Sequence, residues 1–164
     1  MLKSKRSFAL GVGGAIVLVL ATAALALAAE VSRESYVAAV EPICKSNAQA
    51  NEKILKGVKA EVQAGKLAPA GVSFLKAAAA LKKTYSQLAA VPQPTADAAK
   101  LDKWLGYVKT EAALFEAAGK ELKADNKVKA QAMVVRLEHN ANLANDQVLG
   151  FEFTYCKFEP SKFS

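Results

Sequence analysis

Two cysteines and one histidine carry most of the reactive chemistry available to this sequence: Cys44, Cys156 and His139. An adjacent imidazole can hold a thiol as the attacking thiolate, so Cys44 beside His139 is the pair a cysteine enzyme would need. The same three side chains are one donor short of a structural zinc site, which takes four. A c-type haem requires Cys-x-x-Cys-His, and a carboxylate-bridged di-iron bundle requires Glu-x-x-His on two helices. Neither requirement is met, and one histidine cannot serve the second. Met133 and His139 fall on one predicted helix and so cannot grip a haem iron from opposite sides of a pocket. Gly-x-Ser-x-Gly is absent as well. These residues point to no catalytic group, no metal and no cofactor. A Cys/His enzyme remains as a remote alternative that requires a reduced Cys44.

A second set of polar residues bears on binding. "RLEHNANLANDQ" is the most polar stretch of the last predicted helix, and its plain reading is a solvated face. On the first helix, however, Asn51 falls on the apolar stripe, with Asn47 one turn before it. The sharper reading turns these two toward the last helix, where His139, Asn140, Asn142 and Asp146 would complete a small polar cleft. A polar residue so placed also serves to fix helix register.

The elements that position these residues follow an unusual start. The chain opens on "MLKSKR" and then carries no charge from Ser7 to Ala29. A basic start, an apolar run and small residues such as Ala24-Leu25-Ala26 or Ala26-Leu27-Ala28 form the pattern of an export signal. The run is also long enough to span a bilayer, which takes about 20 residues. Residues 1–29 are therefore read as a signal peptide or an N-terminal membrane anchor. Either way the basic end stays cytoplasmic. Residues 30–164 are then extracytoplasmic, secreted or held at the cell membrane by residues 7–29. Cys44 lies well beyond the apolar run, which argues against a lipidated cysteine.

Removing Lys3, Lys5 and Arg6 takes the formal charge from +7 to +4. The remaining lysines are scattered at helical spacing among Ala and Glu, as on a solvated face. Loose attraction to an anionic envelope surface is the alternative. No basic stripe interleaved with aromatics suggests a nucleic acid, and the compartment disfavours one.

Helical period runs through nearly all of the exported part, with no convincing strand. Val37, Val40, Cys44, Ala48, Asn51, Leu55, Val58 and Val62 step by three or four residues, predicting one helix from Ser32 to about Gln63. Pro42 either kinks it or opens its main part. Gly65 and Pro69 interrupt the pattern, and a second helix runs from about Pro69 to Ala90. "VPQPT" ends it and supplies Thr95 as an N-cap for a third helix, from about Ala96 to Ala124. A fourth runs from the cap at Asp125 or Asn126 to about Leu149, with Gly150 as a left-handed terminator. Trp104, Tyr107 and Leu114 read as core or, if exposed, as a contact patch. Phe151, Phe153 and Tyr155 are expected to fold back on the end of the helices.

This pattern predicts an all-α protein, an up-down-up-down four-helix bundle preceded by an N-terminal apolar export helix. In such a bundle the start of the first helix and the end of the fourth share one end, which brings Cys44 to Cys156. Outside the cytoplasm that pair is expected to be a disulfide. It would support a core rich in alanine, which buries little apolar area per residue.

"YVAAVEPICK" after the export signal and "LGFEFTYC" after the last helix resemble small exported, two-cysteine helical proteins of high-GC Gram-positive bacteria. The resemblance implies an extracytoplasmic location and a terminal disulfide, with no activity to carry over. The functional expectation is a non-catalytic cell-envelope binding or interaction module. Its partner would be an anionic envelope surface or another envelope protein. The alternative is a soluble carrier of a small ligand in an interhelical pocket. An exposed aromatic patch favours the first, and a buried cavity with converging polar groups the second.

Overall fold

The computed structural model describes residues 30–159, and their regular structure is entirely helical. Residues 1–29, where the export signal or anchor is read, lie outside the described residues, as do residues 160–164. The elements are α1 (Arg33–Leu55), α2 (Val58–Gln63), α3 (Leu67–Ala89), α4 (Ala98–Lys123) and α5 (Lys127–Gln147). Four of them are long and pack together. Among the described residues no helix is long and apolar enough to cross a membrane.

Ser32 caps α1, its hydroxyl accepting from the Ser35 N–H at 3.1 Å. Pro42 stands inside α1 on its exposed side. The single helix expected as far as Gln63 is broken, because Gly57 takes a left-handed φ of +84° between α1 and α2. The break lets Val58 join Leu67, Ala70, Leu122 and Ala130 in a small second core, where α2 meets the start of α3. Two other boundaries also differ from expectation. A 3-10 turn at Thr95–Asp97 precedes α4, so Thr95 does not cap it. Gly150 lies in a 3-10 turn at Leu149–Phe151, and the left-handed residue is Glu152 (φ 53°).

Helices α3 and α4 make the largest contact, and α4 also packs along α5. Glycine decides how closely α3 and α4 approach. A Cβ built at Gly71 would lie 2.7 Å from the Gly119 carbonyl oxygen, and one at Gly119 would lie 2.9 Å from that of Gly71. Buried alanines, including Ala77, Ala78, Ala112 and Ala118, continue this tight packing. At the surface, Glu116 joins the two helices by pairing with Lys82 of α3 and Lys120 of α4.

Helix α1 leans on α3, whereas α1 and α5 touch each other little. The chain after α5 bridges them. Phe151 and Phe153 are buried and stacked at 5.3 Å, and Phe153 meets Trp104 at 5.5 Å. Tyr155, expected to fold in with them, stays exposed, with the Lys45 ammonium 5.1 Å from its ring centre.

Candidate functional site

The residues that line the main cavity come from three apolar stripes and the C-terminal strap. On α1, Cys44, Asn47, Ala48, Asn51 and Leu55 step along one face. Leu81, Thr84 and Leu88 do the same on α3, and Trp104, Val108 and Phe115 on α4. Residues 154–159 close the side that α5 leaves open. Together these segments line a cavity of about 920 Å3 that is partly open to solvent.

Several bonds hold the strap in place. Cys44 and Cys156 form a disulfide, with Cα atoms 5.0 Å apart and 112 residues between them in sequence. One turn before Cys44, the Glu41 carboxylate accepts from three successive backbone N–H groups, those of Thr154 (2.9 Å), Tyr155 (3.0 Å) and Cys156 (3.2 Å). On the α5 side, Asn145 donates to the Phe158 carbonyl at 2.9 Å and accepts from the Phe158 N–H at 2.8 Å. The strap thus runs from α5 to α1, tied at both ends. Arg33 secures its start. It donates to Asp97 through Nε (2.9 Å) and Nη2 (2.7 Å), and its guanidinium carbon lies 4.9 Å from the Phe151 ring centre. These hydrogen bonds hold the Asp97 carboxyl below its ordinary range, against the opposing effect of burial.

The lining combines apolar core side chains with polar ones. Asn47 Oδ1, Asn51 Oδ1 and Trp104 Nε1 are buried and have no hydrogen-bond partner among the described residues. The Thr84 hydroxyl donates back to the Ala80 carbonyl at 3.1 Å, a bond internal to α3. Buried polar groups normally find a partner; the three without one here lie shielded on residues of the cavity wall, as Tyr36 Oη, Glu61 Oε2 and Glu111 Oε1 do on residues outside it. The charged lining residues Glu52, Lys56, Lys157 and Glu159 are all exposed, at the rim.

Of the cleft read from sequence, Asn47 and Asn51 line the cavity, while His139, Asn142 and Asp146 are exposed and outside its lining. Helix α5 faces α4, which removes the α1–α5 seam where the cleft was drawn. Asn140 is the polar residue of that stretch that is buried. Its Nδ2 donates to Glu111 Oε2 at 2.5 Å and to the Tyr107 carbonyl at 3.0 Å. Glu111 is fully buried on α4, and its Oε1 has no partner among the described residues. Burial pushes its carboxyl up to about 7, with the Asn140 hydrogen bond acting in the opposite direction. Neither Glu111 nor Thr84 was singled out from sequence, although both sit on apolar stripes: Glu111 between Val108 and Phe115, Thr84 between Leu81 and Leu88.

The disulfide takes both sulfurs out of thiolate chemistry, so Cys44 is not available as a nucleophile or metal ligand while it stands. Among the described residues no group of three or more His, Cys, Asp or Glu is placed to hold a metal ion. Trp104 and Leu114 are buried in the core rather than displayed. The chain matches no known family model, no curated protein and no solved structure.

Proposed function

We propose that this is a non-catalytic extracytoplasmic binding protein that carries a small ligand in the cavity between α1, α3, α4 and the C-terminal strap. The observation that carries the reading is the space of about 920 Å3 between α1, α3, α4 and the strap, whose lining residues include Asn47, Asn51 and Trp104. Burial of Trp104 and Leu114 weighs against the contact patch on α4 that would favour an envelope-docking module. In this account residues 1–29 export the chain or anchor it, as "MLKSKR" and the uncharged run after it suggest. The Cys44–Cys156 disulfide is compatible with that compartment. The four long helices run up-down-up-down. Two features support that order: the Arg33–Asp97 pair between the starts of α1 and α4, and the apolar cluster joining the start of α3 to the end of α4 and the start of α5.

The only tryptophan, Trp104, makes the test direct. A library of small molecules is titrated against the oxidised protein and against a Thr84→Leu/Val108→Phe variant whose cavity is filled. A saturable change in Trp104 emission is expected from the first and not from the second, with the variant's thermal midpoint retained. Absence of any saturable response, or an equal response in both, would remove the cavity from the account.

A further inference from the structure

Helix α5 buries one face and leaves the opposite one bare. Ala130, Leu137, Asn140, Ala141 and Ala144 are buried, and α4 is the long helix that α5 packs along. Half a turn around, where a helix of about 3.6 residues per turn points away from that contact, stand Val128, Ala132, Val135, His139, Asn142 and Asp146. All six are exposed. Among the described residues five large apolar side chains are exposed, and three belong to this line: Val128 (85%), Val135 (56%) and, just past the helix end, Leu149 (75%). The steps of three and four from Val128 to Leu149 are the spacing with which one helix packs along another. We infer that this face pairs, antiparallel, with the same face of a second copy of the chain.

Charge decides both the occupant and the direction. The first half of α5 carries Lys127, Lys129 and Arg136 with no acid, and the second half carries Glu138 and Asp146 with no lysine or arginine. A second copy laid antiparallel sets each basic half against an acidic one, whereas a parallel copy sets like against like. Centred on His139, the antiparallel pairing brings Val128 to Leu149 of the second copy and Asp146 to Ala132, between Lys129 and Arg136. An anionic lipid surface would attract the first half and repel the second. From Val128 to Leu149 the face is about 30 Å long, and a strip of one helix width buries roughly 300 Å2 on each copy. A standard stable interface takes about 800 Å2, so the pair is a weak and reversible one. No α5 residue lines the cavity, so this pairing and the carrier reading stand or fall separately.

Sedimentation equilibrium of the oxidised protein from its producing cell, at micromolar to near-millimolar concentration and low salt, tests the pairing. A reversible monomer–dimer equilibrium is expected. Val135→Glu should weaken it at least ~tenfold, because it sets a new carboxylate against the acidic half of the second copy. The thermal midpoint of the single chain should hold, since Val135 is exposed there. Asp146→Asn should weaken the dimer about threefold or more, each charge contact counting twice across the two-fold axis. In a parallel pair the two Asp146 side chains would meet, and the same variant would tighten it. A chain that stays monomeric, a dimer that Val135→Glu leaves intact, or one that Asp146→Asn leaves unchanged or tightens would overturn the proposal. So would a monomer that binds vesicles of equal phosphatidylcholine and phosphatidylglycerol and loses that binding in Val135→Glu, which would give the face to lipid.

Discussion

Glu111 has the most consequential ionisation among the buried groups. Unfolded, it titrates near the ordinary 4.5; folded, burial pushes it up to about 7. The folded state therefore holds the proton more tightly, and stability is greatest below the lower value. It falls as pH rises between the two, by about 3 kcal/mol in all, and is level above the upper one. Glu111→Gln keeps an oxygen for Asn140 and removes the charge. We expect urea unfolding of this variant to show a flat profile across that window and a gain of about 1–3 kcal/mol above it. The wild-type slope persisting in the variant would contradict the assignment. At this scale the sequence was partly legible. Asn51 interrupts an apolar stripe and so draws attention inward. Glu111 interrupts another without standing out, because its apolar neighbours Val108 and Phe115 carry the helical period on their own. His139, Asn142 and Asp146 attracted a cleft through composition, yet which face of α5 is covered depends on α4, and no single helix records that.

Element contacts turn on two glycines. Gly71 and Gly119 bring the backbones of α3 and α4 so close that an added Cβ at either would fall under 3.0 Å from the other's carbonyl oxygen. Gly71→Ala or Gly119→Ala should cost about 1–3 kcal/mol through overpacking, despite alanine's better helix propensity. Gly106, on the same helix as Gly119, has nothing within 4 Å of such a Cβ. Gly106→Ala should therefore stabilise by about 0.5–1 kcal/mol. Urea midpoints of the three variants test the contrast, and a uniform sign across them would refute the close-approach argument. The long helices were legible from their period and from proline and glycine punctuation. The break at Gly57 was not, because Leu55, Val58 and Val62 keep helical spacing across it. Only the second core beneath Val58 shows why the chain turns there.

At the scale of the whole molecule, the strap stands in for a contact the helices do not make. Helices α1 and α5 barely meet, and residues 151–158 span the gap through the aromatic stack, the Glu41 carboxylate, the Asn145–Phe158 pair and the disulfide. Only two cysteines exist, at opposite ends of the helical region, so their pairing was legible in advance. That the joined segment would wall a cavity was not, because its residues alternate between buried and exposed without a regular period. Cys44→Ser/Cys156→Ser releases a loop of about 110 residues in the unfolded chain and should cost roughly 2–5 kcal/mol, read from urea unfolding. An unchanged midpoint would mean that the strap holds without its covalent tie. The central claim is an oxidised, ligand-carrying protein, and the most direct test is native mass spectrometry of the protein taken from its producing cell, before and after denaturation and reduction. The account predicts a polypeptide lighter by the hydrogens lost in disulfide formation, carrying a small neutral molecule that leaves on denaturation. A fully reduced chain with nothing bound would contradict it.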